Sequence, residues 1–205
     1  KLWFFASVRA DGNDQDVQDA FYDDGRPIVL NSRQCYHVEK LSYQMTPNNR
    51  VIGLNHFMRE FQRRDASLFV PAESRMESRL DYNIRKIEWQ SVRGSSLLTS
   101  LQHGYFDYIG LREGLSDRPA TIDIGTQMVT GNHLSDAQIP GVSRHHSRGV
   151  VQWYRPNAWG GNHEARTGFD YMRYDSHNIN QAQRTGDYQL RFNNGEPLQI
   201  VTFNP

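Results

Sequence analysis

The chain has 205 residues, and its 23 Lys and Arg residues balance its 23 Asp and Glu residues, so the formal net charge is zero. This length is enough for one domain with a hydrophobic core. The balanced charge argues against a nucleic acid or an anionic membrane as a partner, and no apolar run approaches the roughly 20 residues that span a bilayer. Cys35 is the single cysteine, which excludes an internal disulfide.

The first third of the chain predicts two strands and a helix. Residues 2–8 (LWFFASV) and 35–45 (CYHVEKLSYQM) have the apolar content and alternation of strands, and we expect Cys35 to be a packed core thiol. Residues 50–65 instead fit a helical period, with arginines in the last turn. The apolar face of this predicted helix consists of Val51, Leu54, Met58 and Phe61.

Further along the chain, three segments predict strands. Residues 79–91 (RLDYNIRKIEWQS) fit either a helix or a strand, and their β-branched and aromatic content favours a strand. Residues 104–114 (GYFDYIGLREG) and 120–130 (ATIDIGTQMVT) also predict strands. From residue 141 onward the chain is rich in Gly, Asn, Arg and His with few periodic segments. This part is therefore predicted to be irregular.

Several short strings, in this order along the chain, resemble the astacin family of metzincin zinc endopeptidases. VIGLNHFMREFQ, FVP and DYNIRKI are similar to the family's first helix and the two strands that follow it. PGVSRHHSRGVVQWY resembles the family's GFxHEHSRxDRDxY, and GFDYMRYDSHNIN and FNNGEPLQIV resemble two later strings. The similarity covers roughly residues 36–203, and it is carried by the order and spacing of the strings.

The resemblance implies an α+β fold of the metzincin type. In such a fold an upstream lobe with a mixed twisted sheet and two helices precedes an irregular downstream lobe. On this chain, a single domain over 1–205 would comprise an N-terminal extension (1–35), the upstream lobe (36–140) and the downstream lobe (141–205). The family resemblance also implies an extracellular location, although the family's cysteines are absent.

The zinc motif of that family, H-E-x-x-H-x-x-G-x-x-H, is not retained. With its glycine placed on Gly141, the three histidines and the catalytic glutamate fall on Leu134, Ser135, Gln138 and Arg144. A leucine cannot bind zinc, a serine cannot act as general base toward zinc-bound water, and an arginine puts a fixed positive charge where the cation would sit. The resemblance therefore implies no catalytic residues and no cofactor.

A zinc site with a different set of ligands is the alternative. His133, His145 and His146 lie in the same stretch, but the residue four positions after His133 is Ala137. Adjacent histidines in an extended segment also point in opposite directions. Solvent-facing or hydrogen-bonding histidines are the simpler interpretation.

The sequence thus indicates a catalytically inactive, astacin-like protein that acts in binding or as a structural component. A protein or peptide is the expected partner, because an exposed edge strand can pair with an extended peptide without catalysis. The sequence leaves open whether the chain also forms a homo-oligomer. The alternatives are a zinc endopeptidase with non-standard ligands and a capsid or assembly subunit. An ordered helix at 50–64 and a second helix that ends near residue 138 would argue against a capsid or assembly subunit.

Overall fold

The computed structural model describes residues 1–134 and 136–203, and in this part of the chain the regular structure is almost entirely β-strand. The one helical element there is a short 3-10 helix, Ala72–Ser74. The strands are β1 (Leu2–Phe21), β2 (Pro27–Thr46), β3 (Asn49–Arg64), β4 (Met76–Arg93), β5 (Leu97–Gly114), β6 (Ala120–Asp123), β7 (Val129–Thr130), β8 (Gln138–Ala158), β9 (Gly161–Asn180), β10 (Tyr188–Asn193) and β11 (Glu196–Thr202).

Seven long strands form one large sheet in the order β1-β2-β3-β4-β5-β8-β9. Each strand is antiparallel to its neighbours, so the connections alternate between the two ends of the sheet. The tight-turn end has the connections 47–48, 94–96 and 159–160. The long-loop end has the connections 22–26, 65–75 and 115–137.

A smaller sheet is built from the segments that leave the large sheet at its long-loop end. Its order is β11-β10-β6-β7, with β6 and β10 parallel and the other pairs antiparallel. The buried apolar side chains of the described residues gather toward this same end: Ala20, Ile28, Met76, Leu80 and Ala120. The hydrophobic core is therefore small and lies at one end of the long strands.

The prediction of an α+β fold related to the astacins is wrong, because the described residues contain no α-helix. The segment predicted as the first helix is β3, which pairs with β2 on one side and β4 on the other. Its apolar residues at 51, 54, 58 and 61 fit a helical period, but Ile52 and Phe57 between them are also apolar. Ladders on both sides satisfy the backbone of β3, and this tertiary pairing overrides the local pattern.

The second predicted helix and the irregular downstream half are also wrong. The residues around 131–137 form turns where they are described, and Gln138 begins β8. β8 and β9 have 21 and 20 residues and are among the longest strands. The division between lobes at 140/141 falls inside β8. The extracellular location inferred from the family loses its support together with the fold.

The strand predictions for the other segments are confirmed. Residues 2–8, 35–45, 79–91 and 104–114 lie within β1, β2, β4 and β5. The segment 120–130 forms β6 and β7 with a turn between them. These segments combine β-branched and aromatic residues with turn residues at their ends, and they form strands as predicted.

Candidate functional site

The two outer strands of the large sheet are open edges. In the described part of the chain β9 pairs only with β8, and β1 pairs only with β2. Of the 20 residues of β9, all are exposed except His163, which is half-buried. An open edge presents backbone N–H and C=O groups that can pair with a strand of another chain. The edge of β9 is therefore the first candidate for a binding site.

The two edges differ in how regular they are. The pairing of β1 with β2 shifts between Asp16 and Phe21, and Asp19 has a positive φ of 58°. Such irregularity, together with the acidic residues along this half of β1, discourages pairing with another strand. The pairing of β9 with β8 runs without a shift from His163 to Asn180. β9 offers the longer regular edge.

A band of apolar side chains crosses the large sheet, close to the tight-turn end in β1 to β5 and in the middle of β8 and β9. We call the face that carries Leu2 and Phe4 face A, and the opposite face B. The register aligns two rows of residues on face A across all seven strands. The apolar band consists of Leu2, Tyr43, Val51, Trp89, Leu101 and Phe169 in the first row and Phe4, Leu41, Ile87 and Tyr171 in the second.

Most of the apolar band is exposed. Phe4 is 81% exposed, Ile87 57% and Tyr171 61%. At β8 the first row has Gly149, and a Cβ there would lie 2.4 Å from the ring of Phe169, so that ring lies over the glycine. The first row is apolar from Leu2 to Phe169 apart from this glycine, whereas Gly53, His103 and Ser147 interrupt the second row; exposed apolar patches can mark interaction sites.

The band ends at both open edges at the same level. On face A, Phe169 and Tyr171 of β9 are in the rows of Leu2 and Phe4 of β1. On face B, Met172 is in the row of Phe5, and both are more than half exposed. Each edge therefore combines unpaired backbone with exposed apolar side chains.

The histidines considered as zinc ligands do not converge. His145 lies on face A, with its ring 4.7 Å from Tyr105, whereas His146 lies on face B with Nε2 2.7 Å from Oδ1 of Asp170. His133 lies in the connection before β8, where burial lowers its pKa and Asp65, 3.6 Å away, opposes that shift. Among the residues that the structure describes, no three His, Cys, Asp or Glu side chains are grouped to hold a metal ion.

Three of the four positions aligned with the zinc motif are described by the structure, and each makes contacts of its own. Leu134 is exposed, and its carbonyl accepts a hydrogen bond from Nε2 of Gln183 at 3.2 Å. The side-chain oxygen of Gln138 lies 3.3 Å from Nη1 of Arg112. The guanidinium of Arg144 lies over the ring of Phe106. Ser135 lies outside the described residues. The three described positions, Leu134, Gln138 and Arg144, thus contact different partners.

Cys35 lies on β2 and is exposed, so the expectation of a packed core thiol is wrong. Its strand position agrees with the sequence pattern. The error arises because, among the described residues, none covers this face of the large sheet at Cys35, so the thiol stays in contact with solvent.

A buried polar network holds the long-loop end together. The carboxylate of Asp136 accepts hydrogen bonds from the backbone N–H of Gly114 and from Nδ2 of Asn132, both at 2.8 Å. It also accepts one from the backbone N–H of Arg184 at 3.3 Å. Asp136 and Asn132 are buried. The network joins the end of β5 to the segments before β8 and β10, which is a structural role.

Asp123 ties together the two turns of the small sheet. Its carboxylate accepts hydrogen bonds from the backbone N–H groups of Gly125, Asn194 and Gly195, at 2.9, 2.9 and 2.7 Å. Desolvation acts to raise the pKa of Asp123, but these backbone hydrogen bonds, with one from Thr126, outweigh it and lower the pKa. The small sheet is therefore fixed by its own turns.

Comparison of the chain with protein-family models, with curated proteins and with solved structures found no match. Across the described ranges, none of the helical structure has the length and apolar character needed to cross a membrane. The candidate site therefore rests on the geometry of the large sheet. Sequence reasoning missed it, and the one available signal was the aromatic stretch FDYMRY in residues 169–174.

Proposed function

We propose that this protein is a non-catalytic binding or assembly protein that adds an extended strand of a partner to the edge of β9. The observation that carries the proposal is the length and regularity of this edge, with 20 residues and no shift of register from His163 to Asn180. In strand addition, backbone hydrogen bonds provide affinity and the alternating side chains provide specificity.

The side chains of β9 define the partner strand. Phe169 and Tyr171 on face A, with Met172 and Tyr174 on face B, are all more than half exposed. A partner strand with apolar residues opposite this stretch gains cross-strand contacts on both faces. Arg173, which lies within this stretch on face A, forms an exposed ion pair with Asp175 at 3.1 Å, so its charge is already paired on β9 itself.

The direct test measures binding of labelled synthetic peptides to dilute protein by fluorescence anisotropy. The peptides have about ten residues, the length of a long strand, and alternate valine and threonine. A control peptide has proline at every second position, because proline has no N–H to donate to a ladder. We expect the alternating peptide to bind and the proline peptide not to bind.

A pair of variants locates the binding. Tyr171→Lys places a charge on the β9 edge and should weaken binding by about tenfold, which is about 1.4 kcal/mol. Ile87→Lys changes the same row of the apolar band in the middle of the sheet, and binding should stay unchanged. Equal binding of both peptides, or equal effects of both variants, would contradict strand addition at β9.

A further inference from the structure

Both open edges run in the same direction. Five strands separate β1 from β9, and every neighbouring pair in the large sheet is antiparallel. The two edge strands are therefore parallel to each other. A second copy of the chain, placed so that it continues the twist of the sheet, brings its β1 next to β9 of the first copy as a parallel pair. The small sheet already contains one parallel pair, β6 with β10.

We propose that the partner strand at the β9 edge is β1 of a second copy of this chain, joined head to tail; this inference rests on the proposed function. At the level set by the register, Phe169 and Tyr171 lie beside Leu2 and Phe4 of the second copy on face A. On face B, Met172 lies beside the second copy's Phe5. The apolar band then continues across the junction without a break.

The charges at this junction are compatible. Asp170 lies on face B at the level of the second copy's Trp3. The second copy's Lys1 is two residues before that Trp3 and so on the same face, which brings it diagonally next to Asp170. No pair of like charges falls at one level between β9 and the first half of β1. Opposite charges at neighbouring cross-strand positions stabilise such a pairing.

A head-to-tail junction covers both exposed stretches, whereas a two-fold junction of β9 with β9 covers only one. In the two-fold arrangement the apolar start of β1 stays exposed, with Phe4 81% accessible. The exposed apolar residues at both edges thus favour the head-to-tail arrangement. Because each added copy leaves one β9 and one β1 edge open, such assembly continues beyond the dimer.

The test is sedimentation velocity over a wide range of protein concentration, with charge-reversal variants. Phe4→Glu and Tyr171→Lys each place a charge at the junction and should each weaken assembly by about tenfold. A chain that carries both substitutions places Glu beside Lys across the junction and should recover assembly to within about threefold of the original. Ile87→Lys, in the same row but in the middle of the sheet, should leave assembly unchanged.

The outcomes separate the inference from the proposed function. Species larger than a dimer, with rescue in the double variant, support head-to-tail pairing. Assembly that stops at a dimer, loss of assembly in Ile87→Lys, or no rescue overturns it. A protein that stays monomeric at every concentration but binds the alternating peptide overturns this inference alone. A monomer that binds no peptide overturns the proposed function as well. Matching unfolding curves confirm that each variant is folded.

Discussion

At the long-loop end of the large sheet, Ile28 and Leu80 are buried, and the carboxylate of Asp136 joins three segments by hydrogen bonds. At the tight-turn end the apolar side chains are exposed on both faces: Leu2 and Phe4 on face A, and Trp3 and Phe5 on face B. The first region has a core and a polar network. In the described residues the second is one sheet layer, joined by its backbone ladders. The contrast teaches that the buried core lies at one end of the long strands, whereas the exposed apolar side chains, where we propose binding, lie away from it.

The largest effect expected from this contrast is on the free energy of unfolding. Ile28→Ala removes a side chain that is 1% exposed and should destabilise the protein by about 2–5 kcal/mol. Ile87→Ala, in the apolar band, should change the stability by less than about 0.5 kcal/mol. Urea unfolding measures both. Similar losses for the two variants would mean that the tight-turn end is covered by another layer.

The polar network should show the next largest effect. Asp136→Ala leaves the backbone N–H groups of Gly114 and Arg184 without their acceptor, and we expect a loss of about 2–3 kcal/mol. The matched control is Asp175→Ala, which removes an exposed partner of Arg173 and should cost less than about 1 kcal/mol. If the control is as damaging as Asp136→Ala in urea unfolding, burial of the network is not what stabilises this end.

Two glycines of β9 test how closely the edge strand follows β8. A Cβ at Gly168 would lie 2.2 Å from the carbonyl oxygen of Gly149, whereas a Cβ at Gly161 meets no atom within 4 Å. Gly168→Ala should therefore destabilise the β8–β9 pairing by about 1–3 kcal/mol, and Gly161→Ala by less than about 0.5 kcal/mol. Thermal unfolding compares the two variants. Equal melting temperatures would show that β9 lies farther from β8.

The smallest effect concerns an exposed ion pair between the two first strands. Hydrogen bonds from Arg33 and then from Asn31 lower the pKa of Asp14 from 3.8 to about 2. A lowered pKa means that the contribution to stability is present above about pH 4 and is lost as the pH falls toward 2. NMR titration should give a pKa of about 2, and Arg33→Gln should raise it toward 3.8. No change in that variant would contradict the assignment.

The sequence predicts the strands that have alternation and clear ends, such as 35–45 closed by TPNN. It fails for β3, where apolar residues on both faces also satisfy a helical period. It fails again for β9, an exposed edge strand on which burial imposes no alternation, and for its neighbour β8, which is rich in Arg, His and Gly and lacks a clear apolar alternation. The open edges depend on long-range order of strands, which local pattern does not contain. The aromatic stretch in residues 169–174 was the one sequence signal of the site, and its place at an open edge could not be predicted from it.

Hydrogen–deuterium exchange on dilute protein, with and without the alternating valine–threonine peptide, tests the central claim most directly. Strand addition at β9 predicts that the peptide slows exchange of backbone amides within residues 161–180 and leaves those of β3, residues 49–64, unchanged, because β3 is already paired on both sides. Strand addition at β9 would be contradicted if the bound peptide slowed amide exchange only in the loops of the long-loop end, or if it did not slow exchange in β9.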